Sequence, residues 1–243
     1  MAGDGRTTYW HISSMKIIYI SGIDGCGKTT QSKRVVDWLR SNGLSAEYQW
    51  LRWEPSVISA IRAIRDLLAT KKGELVNNDK LSVREDAGQM MWDNLKKKIL
   101  SNSFVKRIWL VYATQDYYRA FKKARYTWKS DYVVMDRYLF DFTVDQAINL
   151  GVDPEVLKER LKRTCISKMD QSDYAIIIDL PAKVGYERKM DGTSLSYLKQ
   201  REGFYGKCRI SDEILHVDGT KSIEEINNTI CKWLTDKLGV GYE

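Results

Sequence analysis

Short apolar runs alternate along the chain with longer stretches in which apolar residues recur at helical spacing. The short runs predict strands at Lys16–Ile20, Ala46–Leu51, Tyr132–Met135, Tyr174–Leu180 and Ile214–Val217; Lys16–Ile20 and Tyr174–Leu180 are β-branched runs typical of buried strands. The helical periodicity predicts helices at 29–41, 57–68, 139–165, 195–208 and 222–237, with two or three more within 85–129. Strands that alternate with helices in this order favour an α/β domain built on a parallel sheet.

The composition of the 243-residue chain allows one large domain with a full core, which we expect to cover residues 15–243. A hydrophobic content of 43% excludes disordered and collagen-like classes, and no apolar run approaches the ~18 residues of a membrane span. Residues 1–14 are mostly polar and aperiodic, so we expect either a loose extension or a start codon assigned upstream of the true one. The four cysteines are scattered, which disfavours zinc and disulfide sites and predicts a cytoplasmic location: Cys26, Cys165, Cys208 and Cys231.

The net charge of +7 is concentrated in one segment of the chain. Residues 92–130 hold ten basic and only two acidic residues, with nine aromatic residues interleaved among them. Such a segment could stack on bases and neutralise phosphates, as in a nucleic-acid-binding module. Amphipathic helices with aromatic cores and solvated lysine faces are the more common origin of this composition, so nucleic acid is disfavoured as a partner.

A phosphate-binding loop follows the first predicted strand. Residues 22–29, GIDGCGKT, match the pattern G-x-x-x-x-G-K-[ST] at every defined position, between a strand and a helix. Glycines let backbone N–H groups converge on phosphate oxygens, Lys28 would bridge the terminal phosphates, and the Thr29 hydroxyl would bind Mg²⁺. The loop therefore predicts ATP and Mg²⁺ as cofactors, with these binding residues: Gly22, Gly25, Cys26, Gly27, Lys28, Thr29 and Thr30.

Further motifs follow this loop in a fixed order. They are Glu54-Pro55, Ile64–Leu68, Asp136-Arg137-Tyr138, Lys199–Phe204 and His216–Thr220. Their order and spacing resemble the thymidylate kinase family of P-loop nucleoside monophosphate kinases. The resemblance implies a three-layer P-loop kinase sandwich, with a parallel five-stranded sheet flanked by helices. It also implies a short lid at about 188–196 and an insertion at about 70–108.

The resemblance further implies a reaction and roles for single residues. The reaction is phosphoryl transfer from Mg·ATP to a nucleoside monophosphate, in which Arg137 would clamp phosphate oxygens and Asp136 would lie near Mg²⁺ with Thr29. Asp24 would accept a hydrogen bond from the acceptor's 3′-hydroxyl. Glu54 and Arg65 are expected at the acceptor. Cations of the lid would complete the site, and Arg188 is the candidate for a catalytic role. The alternative is that three cations are ordinary solvated charges on helices: Arg188, Lys189 and Arg201.

The chain departs from the family pattern at the expected acceptor site. Trp53 replaces an arginine before Glu54-Pro55, and Asp145 replaces a tyrosine that screens the ribose. An aromatic residue and an arginine that contact thymine in the family correspond here to Tyr112 and Asp116. A carboxylate accepts from an amine, so the hypothesis is that the acceptor base carries an exocyclic amine, as cytosine does. The alternative is that Asp116 pairs with a neighbouring lysine or arginine on its helix.

Three rival functions differ from this prediction. A GTPase is disfavoured because the chain lacks an N-K-x-D guanine motif. A nucleoside kinase or other small-molecule P-loop kinase remains an open alternative, because it shares the loop and the architecture. A nucleic-acid-binding or regulatory P-loop module is the third alternative. The expected partner is a nucleoside monophosphate, without a membrane and with a homodimer left open.

Overall fold

The structure of the protein is a computed structural model that describes residues 15–56, 102–189, 193–205 and 213–240. The predicted extension, the helix predicted at 57–68, Arg65 and most of the expected insertion lie outside the described residues. So does part of the expected lid, residues 190–192.

Five strands form one sheet in the described part of the chain. They are β1 (Lys16–Gly22), β2 (Ala46–Trp50), β3 (Tyr132–Asp136), β4 (Tyr174–Asp179) and β5 (Ile214–Asp218). All neighbours are parallel, in the order β2-β3-β1-β4-β5, and Ile18 of β1 is paired with Val134 and with Tyr174. The parallel five-stranded α/β fold predicted from the sequence is thereby confirmed. Because helices cover both faces of such a sheet, its central strands are apolar almost throughout.

Seven α-helices connect and flank the strands in the described residues. They are α1 (Lys28–Ser41), α2 (Ser103–Arg125), α3 (Leu139–Leu150), α4 (Pro154–Leu161), α5 (Ala182–Arg188), α6 (Leu195–Tyr205) and α7 (Ile223–Leu238). A short 3₁₀ helix, Cys165–Lys168, precedes β4. None of these helices combines the length and apolar character that a bilayer span requires.

Local sequence accounts for the helix boundaries. The Asn102 side chain accepts hydrogen bonds from the first turn of α2, and Asp153 does the same for α4, with Pro154 in its first turn. Gly151 adopts a left-handed conformation and ends α3, so the helical stretch predicted at 139–165 is divided there. Residues 103–108, assigned from the sequence to the insertion, are continuous with the remainder of α2.

The core of the domain lies on both sides of β1. Residues 17 to 20 of this strand are at most 1% exposed, and the neighbouring strands β3 and β4 are equally buried over most of their length. Parallel strands bring their carboxyl ends to one edge, which is where ligands bind in open α/β sheets. Here that edge carries Gly22, Asp136 and Asp179, the last residues of β1, β3 and β4.

Candidate active site

The phosphate-binding loop joins the end of β1 to the start of α1. Gly25 and Gly27 have φ values of 85° and 89°, which glycine adopts without the cost that a Cβ imposes. A Cβ on Gly25 would also lie 2.6 Å from the carbonyl oxygen of Gly185 in α5. The loop backbone therefore packs directly against α5, and its last residues lead into the N-terminus of α1, where backbone N–H groups favour an anion.

Lys28 lies inside this loop and is 6% exposed. Its Nζ donates to the Ile23 carbonyl oxygen at 3.1 Å and is 3.3 Å from Asp24 Oδ1. The predicted phosphate lysine is thus held within the loop by a backbone oxygen and a carboxylate.

The residues predicted to hold Mg²⁺ are in contact with each other. Thr29 Oγ1 donates to Asp136 Oδ2, and Tyr48 OH donates to the same oxygen at 3.1 Å. Asp136 Oδ1 is buried and has no hydrogen-bond partner. A hydroxyl and a carboxylate with one unused oxygen fit Mg²⁺, which takes one or two protein carboxylates and completes its coordination with phosphate and water oxygens. The described residues contain no cluster of three or more His, Cys, Asp or Glu suited to a metal ion.

Arg137 follows β3 and has an unusual backbone conformation, with a φ of 71°. Non-glycine residues pay for this conformation, and such strain clusters at functional sites. The guanidinium is buried and donates through Nη2 to Asp24 Oδ1, whereas Nη1 has no hydrogen-bond partner and lies 3.6 Å from Asp141 Oδ1. Burial disfavours the charged form, but Asp141 and Asp24 outweigh it and raise the pKa of Arg137, so the cation persists at neutral pH.

Asp24 lies between the two cations of the site. Burial alone would raise the pKa of this carboxyl, but Lys28 and Arg137 outweigh burial and hold the pKa of Asp24 well below its usual range. The structure therefore brings Asp24, Lys28 and Arg137 together as one ionised group beside the loop.

A buried network around Asp141 extends this group, and the sequence analysis missed it. Asp141 Oδ1 accepts from Arg201 Nη2 at 3.0 Å, and its Oδ2 accepts from Tyr19 OH and, at 3.0 Å, from Ser21 Oγ. Arg201 also donates to Tyr205 OH at 2.6 Å. The one sequence signal was an acidic residue in the first turn of the helix after Asp136-Arg137-Tyr138, which reads equally well as an ordinary helix cap.

Arg201 is not a solvated helix charge, because it is fully buried. Besides its bonds to Asp141 and Tyr205, its Nη1 donates to Asp145 Oδ1 and to Tyr197 OH, the latter at 3.0 Å. The predicted sugar-site residue Asp145 is therefore the partner of a cation from α6.

An aromatic cleft opens beside the network. It is lined by Leu51, Arg52, Trp53, Tyr138, Asp141, Phe142 and Asp145. The Trp53 indole packs edge to face against Trp109 and Phe142, with ring centroids 5.8 and 5.7 Å apart. Glu54, which follows Trp53, is exposed.

Asp116 binds the backbone and the indole at the rim of the cleft. Its Oδ2 accepts from Trp53 Nε1 and from the Ser56 backbone N–H, both at 3.0 Å. Tyr112 OH is 3.2 Å from Ser56 Oγ, so the two predicted base-contact residues share one neighbour. Within the described ranges, no lysine or arginine forms an ion pair with Asp116, in contrast to the alternative considered from the sequence.

Arg188, the catalytic lid candidate, binds the backbone after β5. Arg188 Nη1 donates to the carbonyl oxygen of Gly219, at the end of β5, at 2.9 Å. Lys189 is the C-terminal cap of α5, immediately before the residues that are not described. The structure thus places Arg188 on the backbone after β5 and not on Lys28, Asp24 or Arg137.

Two curated proteins are similar to this chain over most of its length. A protein named "Thymidylate kinase" from Fervidobacterium nodosum is 23% identical over 223 residues, which cover 88% of this chain and 96% of the relative. A "Probable thymidylate kinase" from Pyrococcus abyssi is 25% identical over 229 residues, which cover 91% of this chain and 96% of the relative. These similarities confirm the resemblance to thymidylate kinases. No model of a known protein family matches the chain.

A solved structure supports the fold. The chain is similar to a deoxyadenosine kinase from M. mycoides, solved with bound dCTP, with a TM-score of 0.51 and 14% identity over 90% of this chain and 99% of that chain. At this identity the similarity shows a shared fold, that of a P-loop kinase. The kinase names of the curated relatives support a nucleotide kinase function, whereas identities of 23% and 25% leave the substrate undetermined.

Proposed function

We propose that the protein transfers the γ-phosphoryl group of Mg·ATP to a nucleoside monophosphate and forms the diphosphate. The observation that carries this proposal is the convergence of Lys28, Asp24 and Arg137 at one edge of the sheet. Thr29 and Asp136 lie at the same edge, and the aromatic cleft opens beside it. A site with these cations and a magnesium-binding pair suits two phosphate chains.

The residues of the chain would act mainly by positioning and by charge stabilisation. Lys28 and the loop N–H groups would bind the donor phosphates, and Arg137 would neutralise charge that develops on the transferring group. Asp24 orients both cations through one of its two carboxylate oxygens, Oδ1. Thr29 and Asp136 would hold Mg²⁺, which supplies further neutralisation at the phosphates when it is bound.

The test is ADP formation from Mg·ATP with a panel of acceptors: dTMP, dUMP, dCMP, CMP, dAMP, dGMP and the corresponding nucleosides. We expect turnover that depends on a nucleoside monophosphate. Substitutions Lys28→Ala and Arg137→Ala are expected to lower kcat by about 100-fold or more, because each removes a cation from the transferring phosphoryl group. Lys232→Ala, an exposed lysine of α7, is the matched control and keeps wild-type turnover. ADP formation that is independent of every acceptor would refute the proposal.

The base of the acceptor is the finer part of the proposal. Asp116 Oδ2 is occupied by Trp53 and Ser56, while Oδ1 has no hydrogen-bond partner among the described residues. This second oxygen could accept from an exocyclic amine, so we expect cytosine nucleotides to be preferred. Clear preference for dTMP in the same panel would overturn this choice and leave the kinase proposal standing.

A nucleoside kinase is the second candidate, and one observation favours it. Asp145 lines the cleft, and only its Oδ1 has hydrogen-bond partners among the described residues, so its Oδ2 could accept a hydrogen bond from a sugar hydroxyl of a nucleoside. Turnover with nucleosides and not with their monophosphates would select this function.

A further inference from the structure

Asp141 controls the backbone on which Arg137 lies. Its Oδ2 accepts from the backbone N–H of Tyr138 at 3.4 Å, the residue directly after the left-handed Arg137. A non-glycine residue keeps such a conformation only where its surroundings determine it. The hydrogen bond from Tyr138 to Asp141 is one of the contacts that fix the turn between β3 and α3.

Asp141 also faces the side chain of Arg137. The carboxylate is 2% exposed, and its Oδ1 is 3.6 Å from Arg137 Nη1 and 3.0 Å from Arg201 Nη2. Burial alone would raise the pKa of Asp141, but Arg137 and Arg201 outweigh it and lower that pKa below its ordinary value. At neutral pH the two guanidinium groups thus share one ionised carboxylate in the interior.

Arg201 supplies the second half of this arrangement from a different part of the chain. It belongs to α6, beyond the expected lid, and has no exposed surface. Its contacts with Asp141 and Asp145 tie α6 to α3, the helix that follows the turn carrying Arg137. A continuous series of polar contacts therefore runs from Arg201 through Asp141 and Arg137 to Asp24 in the phosphate-binding loop.

We propose that Asp141 is a positioning residue, which holds Arg137 so that Nη1 can meet a phosphate oxygen, and that Arg201 keeps Asp141 in place. The effect of this positioning on catalysis rests on the proposed function, whereas the positioning of Arg137 by Asp141 does not depend on it. Nη1 of Arg137 suits the role because it is buried and has no hydrogen-bond partner among the residues that the structure describes. A buried donor without a partner is costly, and a phosphate oxygen would satisfy it.

The positioning is tested without catalysis by NMR of the guanidinium groups in the full chain, labelled with ¹⁵N-arginine. Signals of Arg137 and Arg201 are assigned by Arg137→Lys and Arg201→Lys. We expect restrained, separately resolved Nη signals for Arg137 in the wild type, and their broadening or loss in Asp141→Asn and in Arg201→Met. Glu224→Gln, which breaks the exposed Arg34–Glu224 pair, is the matched control and leaves the Arg137 signals unchanged. Arg137 signals that stay unchanged in both site variants would overturn the proposal.

The catalytic part is tested by steady-state kinetics in two backgrounds, the wild type and Arg137→Ala. We expect Asp141→Asn to lower kcat by about 10- to 100-fold while KM for ATP changes by less than about 3-fold, because misplaced catalytic groups lose transition-state contacts. In the Arg137→Ala background the same substitution should change kcat by less than about 3-fold, because no guanidinium remains to be positioned. Equal factors in both backgrounds would show a merely structural role and refute the proposal.

A second variant keeps the test decisive if Asp141→Asn does not fold. Arg201→Met retains both Asp141 and Arg137 but removes the cation that keeps Asp141 in place, and it is expected to lower kcat by about 3- to 30-fold, again only in the presence of Arg137. If the wild type shows no acceptor-dependent turnover but the NMR result is as expected, the proposed function fails and the positioning stands. If acceptor-dependent turnover is present but the NMR signals of Arg137 do not change in the variants, the positioning fails and the proposed function stands.

Discussion

At the scale of single residues, the site depends on carboxylates that stay ionised in the interior. Asp24 is 6% exposed and Asp141 is 2% exposed, yet the pKa of each is lowered because two cations outweigh the effect of burial. A carboxyl whose pKa is lower in the folded protein than in the unfolded chain stabilises the fold only while it is ionised.

This linkage predicts the acid stability of the protein. The contribution of Asp24 is present above the unfolded-chain pKa of about 3.9 and is lost as the pH falls through the lower folded pKa. Asp24→Asn should therefore flatten the decline of the unfolding free energy below about pH 4, by up to about 1.4 kcal/mol per pH unit. Urea unfolding followed by circular dichroism at several pH values measures this slope. Asp37→Asn, which removes an exposed carboxylate of α1, should keep the wild-type slope. A wild-type slope in Asp24→Asn as well would contradict the assignment.

The residue motifs differ in how far the sequence could predict them. The phosphate-binding loop and the pair Asp136-Arg137 are local patterns, so their positions at the ends of β1 and β3 followed from the strands that precede them. Arg201 could not be assigned, because its partners Asp141 and Asp145 lie 60 and 56 residues away and meet it only when α3 and α6 pack. Its burial depends on that packing and not on any spacing along α6.

At the scale of elements, α5 and the phosphate-binding loop pack backbone against backbone. A Cβ on Gly185 would lie 2.7 Å from the carbonyl oxygen of Asp24 and 2.9 Å from Ile23 Cδ1. Neither the loop nor the helix has room for a methyl group at this contact. The helix that precedes the expected lid thus forms a rigid support behind the loop.

Gly185→Ala should therefore damage both stability and nucleotide binding. We expect the unfolding free energy to fall by about 1–3 kcal/mol, as for other overpacked sites, and ATP affinity to fall because the loop is displaced. Gly203→Ala is the matched control, because a Cβ on Gly203 of α6 would meet nothing within 4 Å. It should match the wild type or gain up to about 1 kcal/mol from helix propensity. Denaturant unfolding and calorimetric titration with Mg·ATP measure both effects; identical behaviour of the two variants would show that the contact is unimportant.

The elements themselves were well predicted where the pattern is local. Four of the five strands, β1, β3, β4 and β5, lie on short runs that contain β-branched residues, because a parallel sheet buries both faces of its central strands; β2, at one edge, contains none. The division of 139–165 at Gly151 was not predicted, although glycine at a helix C-terminus is a known signal, because apolar periodicity continues on both sides of it. The close approach of α5 to the loop has no sequence signal beyond the presence of two glycines.

At the scale of the whole molecule, the described cations of the basic segment 92–130 lie mostly at the surface, and those from 106 to 125 belong to α2, a helix with a partly aromatic inner face. Tyr117, Phe121 and Trp128 are buried. Tyr117 stacks on Phe142, and Phe121 packs edge to face against Trp128. Some of the cations are used within the fold: Lys106 donates to the Leu150 carbonyl oxygen and Arg125 to Asp170. In the described part of this segment these three rings are therefore unavailable for stacking on bases, whereas Phe104 and Tyr126 are exposed; the buried rings support the amphipathic interpretation.

Nucleic-acid binding should accordingly be weak and purely electrostatic. We expect fluorescence anisotropy with single-stranded and duplex DNA to show no dissociation constant below about 1 μM at 0.15 M salt, because phosphate contacts alone give weak binding there. The double substitution Lys122→Glu and Lys123→Glu should abolish residual binding at low salt and leave phosphoryl transfer unchanged. Tight, salt-sensitive retention without acceptor-dependent ATP consumption would favour a nucleic-acid-binding module instead.

The buried pair of Asp141 and Arg201 has a consequence for how this protein can evolve. Replacing one of the two removes an opposite charge from the other in the interior, and breaking a buried ion pair in this way costs about 3–5 kcal/mol. That is a large share of the ~5–15 kcal/mol by which a domain is stable. A lineage can thus leave or enter this arrangement only when both positions change nearly together. Among relatives of this chain we expect the two positions, 60 residues apart in sequence, to covary and to be inherited as a unit.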